Sequence, residues 1–384
     1  MAATSQNRAI DAIRFLAALL VVLGHVRLTM FEDYPTASHG PLSQALYAVT
    51  GMGAPAVLVF FALSGYWVGG FGVVNRVRAG RFDVRDYAIA RLTRLWIVLL
   101  PALALTAVVD WVGRKAFSSS DLYQVPVPYT GIEEVPSHAL STLAGNVVFV
   151  QEIHVKPFGY NYPLWSLSYE FWFYVIFAAL ALATSRQRGT TTRVVAVVVA
   201  LLGCVVAGTD VLQLSLAWLF GVAAAVLAPQ ARRWAARSSS TMGWSQLAAA
   251  GVTGIAMVVA RQLDLQGAPV AVVVGLPAAV LLWTLTDDLA WTGVKGRLLG
   301  VFEAGSRSSY SLYAIHMPIV VLLAAWLTPT REERWTLGPV GFVEVLVITG
   351  GLIVIAVGFA AVTERRTHDV RRLLGRATAP RVGA

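Results

Sequence analysis

The sequence predicts an all-α, polytopic membrane protein of about ten transmembrane helices with both termini cytoplasmic. Three observations predict it. Apolar runs of roughly 20 residues recur along the chain. Charged residues make up only 13% of it and hydrophobic ones 57%. The basic residues gather in alternate segments between the runs. Soluble domains are about one-quarter charged, and no single soluble core would hide this much apolar surface. The formal net charge is +9, but the arginines fall between apolar runs and not along one polar face, which suits a lipid bilayer and not nucleic acid.

The ten runs are residues 12–30, 54–73, 92–112, 163–184, 193–209, 211–228, 244–262, 268–286, 308–328 and 340–362. Arg8 and Arg14 precede the first run as they would in a signal peptide. The cleavage pattern is unconvincing, however, and Arg14 stands at the start of the run itself, so the segment reads as a permanent helix. Residues 193–228 read as a tight hairpin of two helices broken at Thr209 and Asp210. With the N-terminus inside, 23 of the 30 lysines and arginines lie on the cytoplasmic side, the bias expected of a multi-pass protein of the cell membrane. An odd number of spans would scramble it.

The external segments lean acidic, with Glu32, Asp33, Asp121, Glu133, Glu134 and Glu152. Residues 1–362 form one transmembrane domain in this reading. Its extracytoplasmic loop, 113–162, is long enough for a lid or binding surface. The remainder, 363–384, is a basic cytoplasmic tail suited to anionic lipid. Cys204 is the one cysteine, so no disulfide forms within the chain. The six histidines are scattered, and no metal site is expected.

An ionisable group inside a spanning helix is costly and marks a candidate functional site. In RFLAALLVVLGH, Arg14 and His25 are eleven residues apart. At about 100° per residue they project from one helix face, roughly 16 Å apart along the axis. Arg14 then sits at the inner interface and His25 near mid-bilayer. Arg14 alone also fits a snorkelling arginine, and His25 an interhelical hydrogen bond. Arg91 and Arg94 in RLTRLW share a face at the start of the third helix. Together with Arg14 they can hold phosphate charges bidentately, although positive-inside placement explains them as well. In PLWSLSYEFWFY, the aromatics form an interfacial belt. Ser166, Ser168 and Glu170 add hydroxyls and a carboxylate just inside the membrane, the carboxylate serving a partner or a structural ion pair. Ser64 lies among the small residues of FFALSGYW, which suit close helix packing. The ninth run opens SYSLYAIHMP, where Pro318 suggests a kink and His316 offers a second polar group for the cavity.

These segments together resemble membrane-bound acyltransferase family 3, the bacterial O-acyltransferases that modify sugars and related hydroxyl compounds. The resemblance rests on Arg14 and His25, FFALSGY, RLTRLW, PLWSLSYE and SYSLYAIH, in the family's order over residues 8 to about 318. It implies a ten-helix domain taking an acyl group, commonly acetyl, from cytoplasmic acyl-CoA. It makes His25 the catalytic histidine, Arg14 its paired arginine, Arg91 and Arg94 the acyl-CoA arginines, and Glu170 the acid of the tryptophan–serine motif. It also implies a stand-alone form without the C-terminal hydrolase-like domain of some relatives.

The spacing is compatible with that chemistry. Arginines at the inner mouth would hold the nucleotide phosphates while the pantetheine arm reaches His25. An imidazole would then take the proton from an acceptor hydroxyl. Glu170, Glu32 or Asp33 is available to orient it, and a histidine nucleophile is the competing mechanism. The alternative function is a proton-coupled transporter or flippase with Arg14, His25 and Glu170 lining its path. The inner arginine cluster, which transport does not require, favours the enzyme. A membrane scaffold without a small-molecule site is a third reading.

Overall fold

A computed structural model describes residues 7–34, 40–124, 135–237, 239–285 and 293–377 of the chain. Glu133, Glu134, the last residue of the 268–286 run and the tail beyond 377 lie outside these. The helices are α1 (Arg8–Met30), α2 (Pro41–Thr50), α3 (Gly53–Val68), α4 (Phe71–Arg78), α5 (Val84–Ala116), α6 (Asp121–Gln124), α7 (Leu140–Val147), α8 (Trp165–Ala183), α9 (Thr190–Arg237), α10 (Ser239–Gln262), α11 (Gly267–Thr284), α12 (Gly293–Ser306), α13 (Ser309–Leu327), α14 (Pro339–Val362) and α15 (Thr367–Ala377). Only isolated β-bridges accompany them among the described residues. The protein is an all-α polytopic membrane protein.

Nine helical stretches among the described residues are long and apolar enough to cross a bilayer. One of them, α9, has 48 residues; straight, it would be about 72 Å long, more than twice a hydrocarbon core of about 30 Å. Its helix breaks at Gly208, where φ is +76°, a left-handed value that glycine adopts without penalty. The break falls one residue before the expected Thr209–Asp210 site, because the backbone needs the glycine rather than the polar pair. The arm 190–207 packs on α8, with Gly203 against Ile176. The arm 209–237 lies between α3 and α11, and counting the two arms separately makes ten crossings.

Two contacts set the middle of the bundle. A Cβ on Gly65 would fall 1.9 Å from the Trp218 carbonyl oxygen, and one on Gly221 1.9 Å from that of Ala62. The small residues of FFALSG therefore let α3 and α9 touch backbone to backbone, as expected for packing without a hydrophobic driving force. Helix α5 is longer than its apolar run. Asp83 caps it, accepting from the Asp86 amide, and it carries Arg85, Arg91 and Arg94 before entering the apolar region. These arginines end the hydropathy signal without ending the helix.

The start of α1 and the segment following α14 meet on the arginine-rich face, where Arg14, Arg94 and Glu364 lie within electrostatic reach of one another. On the opposite face, Arg334 donates to Asp33 over 2.9 Å. That hydrogen bond holds the Asp33 carboxyl below its ordinary value against the opposing effect of burial. A backbone bond from Glu32 to Trp335, 2.9 Å long, joins the same two segments.

Replacing Gly65 by alanine forces α3 off α9, because a backbone carbonyl cannot rotate away. Overpacking of this kind costs about 1–3 kcal/mol or more. Thermal unfolding of purified Gly65→Ala in detergent should show a clear fall in midpoint. Gly254→Ala, whose Cβ meets nothing within 4 Å, should be neutral or slightly stabilising, since alanine suits a helix better.

Candidate active site

His25 on α1 and His316 on α13 are 291 positions apart in sequence, and their rings share a hydrogen bond, Nδ1 of His25 to Nε2 of His316, 2.7 Å long. The rings are nearly parallel, at 10°, with centroids 5.0 Å apart, the separation of two imidazoles joined edge to edge and not stacked face to face. His316 is fully buried, and its Nδ1 lies 2.7 Å from the Tyr313 carbonyl and 3.2 Å from that of Leu312. Carbonyls only accept, so the proton is on His316 Nδ1. In the neutral ring, Nε2 is then the acceptor. His25 therefore donates from Nδ1, which leaves its Nε2 lone pair free. A backbone carbonyl, relayed through one imidazole, selects the tautomer of the other.

Tyr162 packs its ring edge-on to His25 at 5.3 Å. It belongs to a single 3-10 turn, Tyr162–Leu164, held to α13 by one short network. Tyr313 donates to the Pro163 carbonyl at 2.6 Å, and Ser166 and Tyr313 hydroxyls are 2.7 Å apart. The nearby Asn161 donates to Thr106 and to the Ala314 carbonyl, both at 2.9 Å. Ser166 thus positions the turn that carries Tyr162.

From the arginine-rich face, a narrow void of about 70 Å³ runs inward. Arg14 and Arg94 flank it, Ser64, Glu170 and Tyr174 form its wall, and Ser166 and Tyr313 line its far end. Neither His25 nor His316 lines it, and His316 is 5.9 Å from Tyr313 between ring centroids. Arg14 donates to the Ser306 carbonyl at 2.8 Å, pairs with Asp11 at 3.3 Å and lies over Trp67 at 5.1 Å. Arg91 does not line the void. It covers Tyr87 and Tyr174 at 5.5 and 5.9 Å. Among the described residues, Arg14 Nε, Arg91 Nε and the Tyr310 hydroxyl are buried with no hydrogen-bond partner. Ser168 is buried on α8 and lines neither this void nor the outer cavity.

Glu170 accepts from both Ser64 and Tyr174, and Trp218 donates to Ser64 at 3.3 Å. It faces Arg94 electrostatically. The three carboxylates available to orient His25 are engaged elsewhere: Glu170 here, Glu32 with Thr336, and Asp33 with Arg334. The group against His25 is His316. Glu364 is a further member that sequence reasoning placed in the basic tail. It accepts from the Ser311 amide and hydroxyl at 3.2 and 3.1 Å and faces Arg14 and Arg94. Tyr174 had a readable signal, being one helical turn beyond Glu170 on the same face.

A family model described as an acyltransferase domain matches residues 7–363, nearly the whole chain. The chain belongs to acyltransferase family 3. It is therefore a membrane acyltransferase. No curated protein and no solved structure matches it. Within this acyltransferase, the segments that carried the family resemblance converge on one axis of the bundle. Arg14 and Arg94 stand at one end of it and the two histidines at the other. No group of three or more potential metal ligands forms among the described residues.

Glu170→Gln keeps the shape but removes the charge facing Arg94. The arginine then retains Glu364 as its acidic neighbour, so the loss should stay below the about 3–5 kcal/mol typical of a broken buried pair. The expected outcome is a lowered thermal midpoint, partly restored by also replacing Arg94 with methionine; an unchanged midpoint would refute the pairing.

Proposed function

We propose that this protein is an O-acyltransferase that moves an acyl group, most simply acetyl, from cytoplasmic acyl-CoA to a hydroxyl of a sugar, glycan or related metabolite, with His25 as general base. The observation that carries this reading is the tautomer relay: an imidazole with a free Nε2 lone pair, joined through His316 to Tyr313, which lines an arginine-headed void. Arg14 and Arg94 are suited to the phosphates of the donor, being planar forks with donors to spare, and Arg91 reinforces the positive mouth. The void is too narrow for a nucleotide, so the charged end stays among the arginines and only a thin acyl-bearing arm extends toward the histidines.

In the step itself, the acceptor O–H gives its proton to His25 Nε2 as the oxygen attacks the thioester carbonyl carbon. The C–O bond forms, the C–S bond breaks, and the departing thiolate takes the proton from the imidazolium to leave free thiol. His316 stabilises the transient charge by accepting from His25 Nδ1 throughout, much as a carboxylate supports an imidazole elsewhere. Glu170 acts on Arg94 and on the wall of the void. The bilayer in which this operates is a cell membrane, consistent with the positive-inside bias.

His25→Ala should lower the transfer rate by about 10²–10⁴-fold with binding of acetyl-CoA retained; full activity in that variant would end the proposal. His316→Phe preserves the volume roughly but removes the acceptor, and should lower kcat on the order of tenfold or more with little change in KM for the donor. Incubation with labelled acetyl-CoA in the absence of acceptor should leave no label on the protein. Stoichiometric labelling of His25 would assign it as nucleophile instead.

A further inference from the structure

The face opposite the arginines holds a much larger cavity, about 900 Å³. Its walls come from five separate places: Val135 and Pro136, the 152–162 segment, the start of α8, the stretch just after Gly208 and the start of α11. Tyr160, Tyr162, Trp165 and Tyr169 supply aromatic surface, and Gln213 and Gln266 supply amides. Among the described residues three charged side chains border it, Glu152, Asp210 and Lys156, two acidic and one basic. Both carboxylates lie within electrostatic reach of Tyr169.

This wall is already assembled. Gly159 has φ +59°, and a Cβ there would fall 2.2 Å from Asp110 Oδ2. The same carboxylate oxygen accepts from the Tyr160 amide at 3.0 Å and from His138 at 2.8 Å, so the loop is pinned to α5. Burial, then Asp110, pushes the Tyr160 hydroxyl up to about 12, and it stays protonated. Trp165 meets Tyr169 edge-on at 4.9 Å and Phe61 at 6.1 Å. Gly267, at φ +57°, lets its backbone lie directly against the Gln213 amide. A ligand here does not have to order the site it enters, which lowers the cost of binding.

The cavity also borders the chemistry. Tyr162 lines it and touches His25 with the edge of the same ring, so the histidine lies one aromatic ring from the outer space. The aromatic faces suit the C–H faces of a saturated ring, and the carboxylates and amides suit vicinal hydroxyls, which need acceptors and donors side by side. A phosphate or carboxylate on the ligand would meet Glu152 and Asp210, whereas an amine would be attracted.

We propose that this vestibule is the acceptor site, and that it selects a polyhydroxylated ring, favouring one that carries an amine over an uncharged one and rejecting one that carries a carboxylate. This rests on the acyltransferase reading above and adds to it the face by which the acceptor enters and the charge it can bear. Asp210, exposed at the rim, is then a specificity-determining residue and Trp165 a stacking platform.

The test is competition binding, followed by saturation-transfer NMR, of glucosamine, methyl glucoside and glucuronate to the purified full-length protein in nanodiscs without any acyl-CoA. Glucosamine should bind up to about fivefold tighter than methyl glucoside, the scale of one exposed ion pair, and glucuronate should bind more weakly than either. Asp210→Asn should erase the advantage of glucosamine while leaving methyl glucoside unchanged. Trp165→Leu should weaken both by roughly tenfold, and thermal midpoints equal to the parent's would show that both variants are folded. Equal binding of glucuronate, or indifference of all three sugars to both substitutions, overturns the proposal. Because no donor is present, that failure is separable from failure of the acyltransferase reading, which is scored by His25-dependent consumption of acetyl-CoA.

Discussion

An imidazole at mid-depth in a bilayer has no water to satisfy it, so it persists only with a protein partner. Here the partner is a second imidazole, and the 2.7 Å bond between His25 and His316 determines much of what surrounds it. It requires α1 and α13 to approach closely at that level. It requires His316 Nδ1 to be held by backbone carbonyls so that the proton positions are defined. It leaves one nitrogen lone pair unused. The structure therefore meets the demand of burial and leaves a ring nitrogen unused by the same contact.

The second constraint is charge at the arginine-lined mouth. Several buried or half-buried arginines converge there, and like charges at short range are tolerated only with compensation. Glu170, Glu364 and Asp11 provide it from α8, the segment after α14 and α1. These carboxylates offset the arginines without covering every donor, since Arg14 Nε and Arg91 Nε stay unpaired. An arginine cluster balanced in this way holds its shape and can still accept a polyanion.

What was readable in the chain followed from local periodicity. The apolar runs mark the spans, and eleven-residue spacing puts Arg14 and His25 on one helix face by periodicity alone. The hairpin inside α9 was readable because a polar pair interrupts the run, although Gly208 makes the turn. What escaped depended on long-range approach. His316 was visible as a polar group in a span, but its bond to His25 joins positions 291 residues apart. Glu170 was visible as an unexplained carboxylate, yet its partner Ser64 lies 106 residues away. Glu364 was hidden by its company, since Arg365 and Arg366 beside it make the segment read as a basic tail. The inner end of α5 was hidden for a related reason: its arginines depress hydropathy while the helix continues.

Two hollows open toward opposite faces, and in the partition between them a series of ring contacts runs from Tyr162 in the lining of one, through His25 and His316, to Tyr313 in the lining of the other. On the reading proposed above, the hydroxyl proton originates on the outer side of that partition and ends on a thiol on the inner side. The acyl group crosses that partition in the opposite sense, so a hydroxyl becomes an ester and a thioester becomes a thiol with no net charge moved between the two sides. The transfer is then electroneutral, and the voltage of an energised cell neither drives nor opposes it.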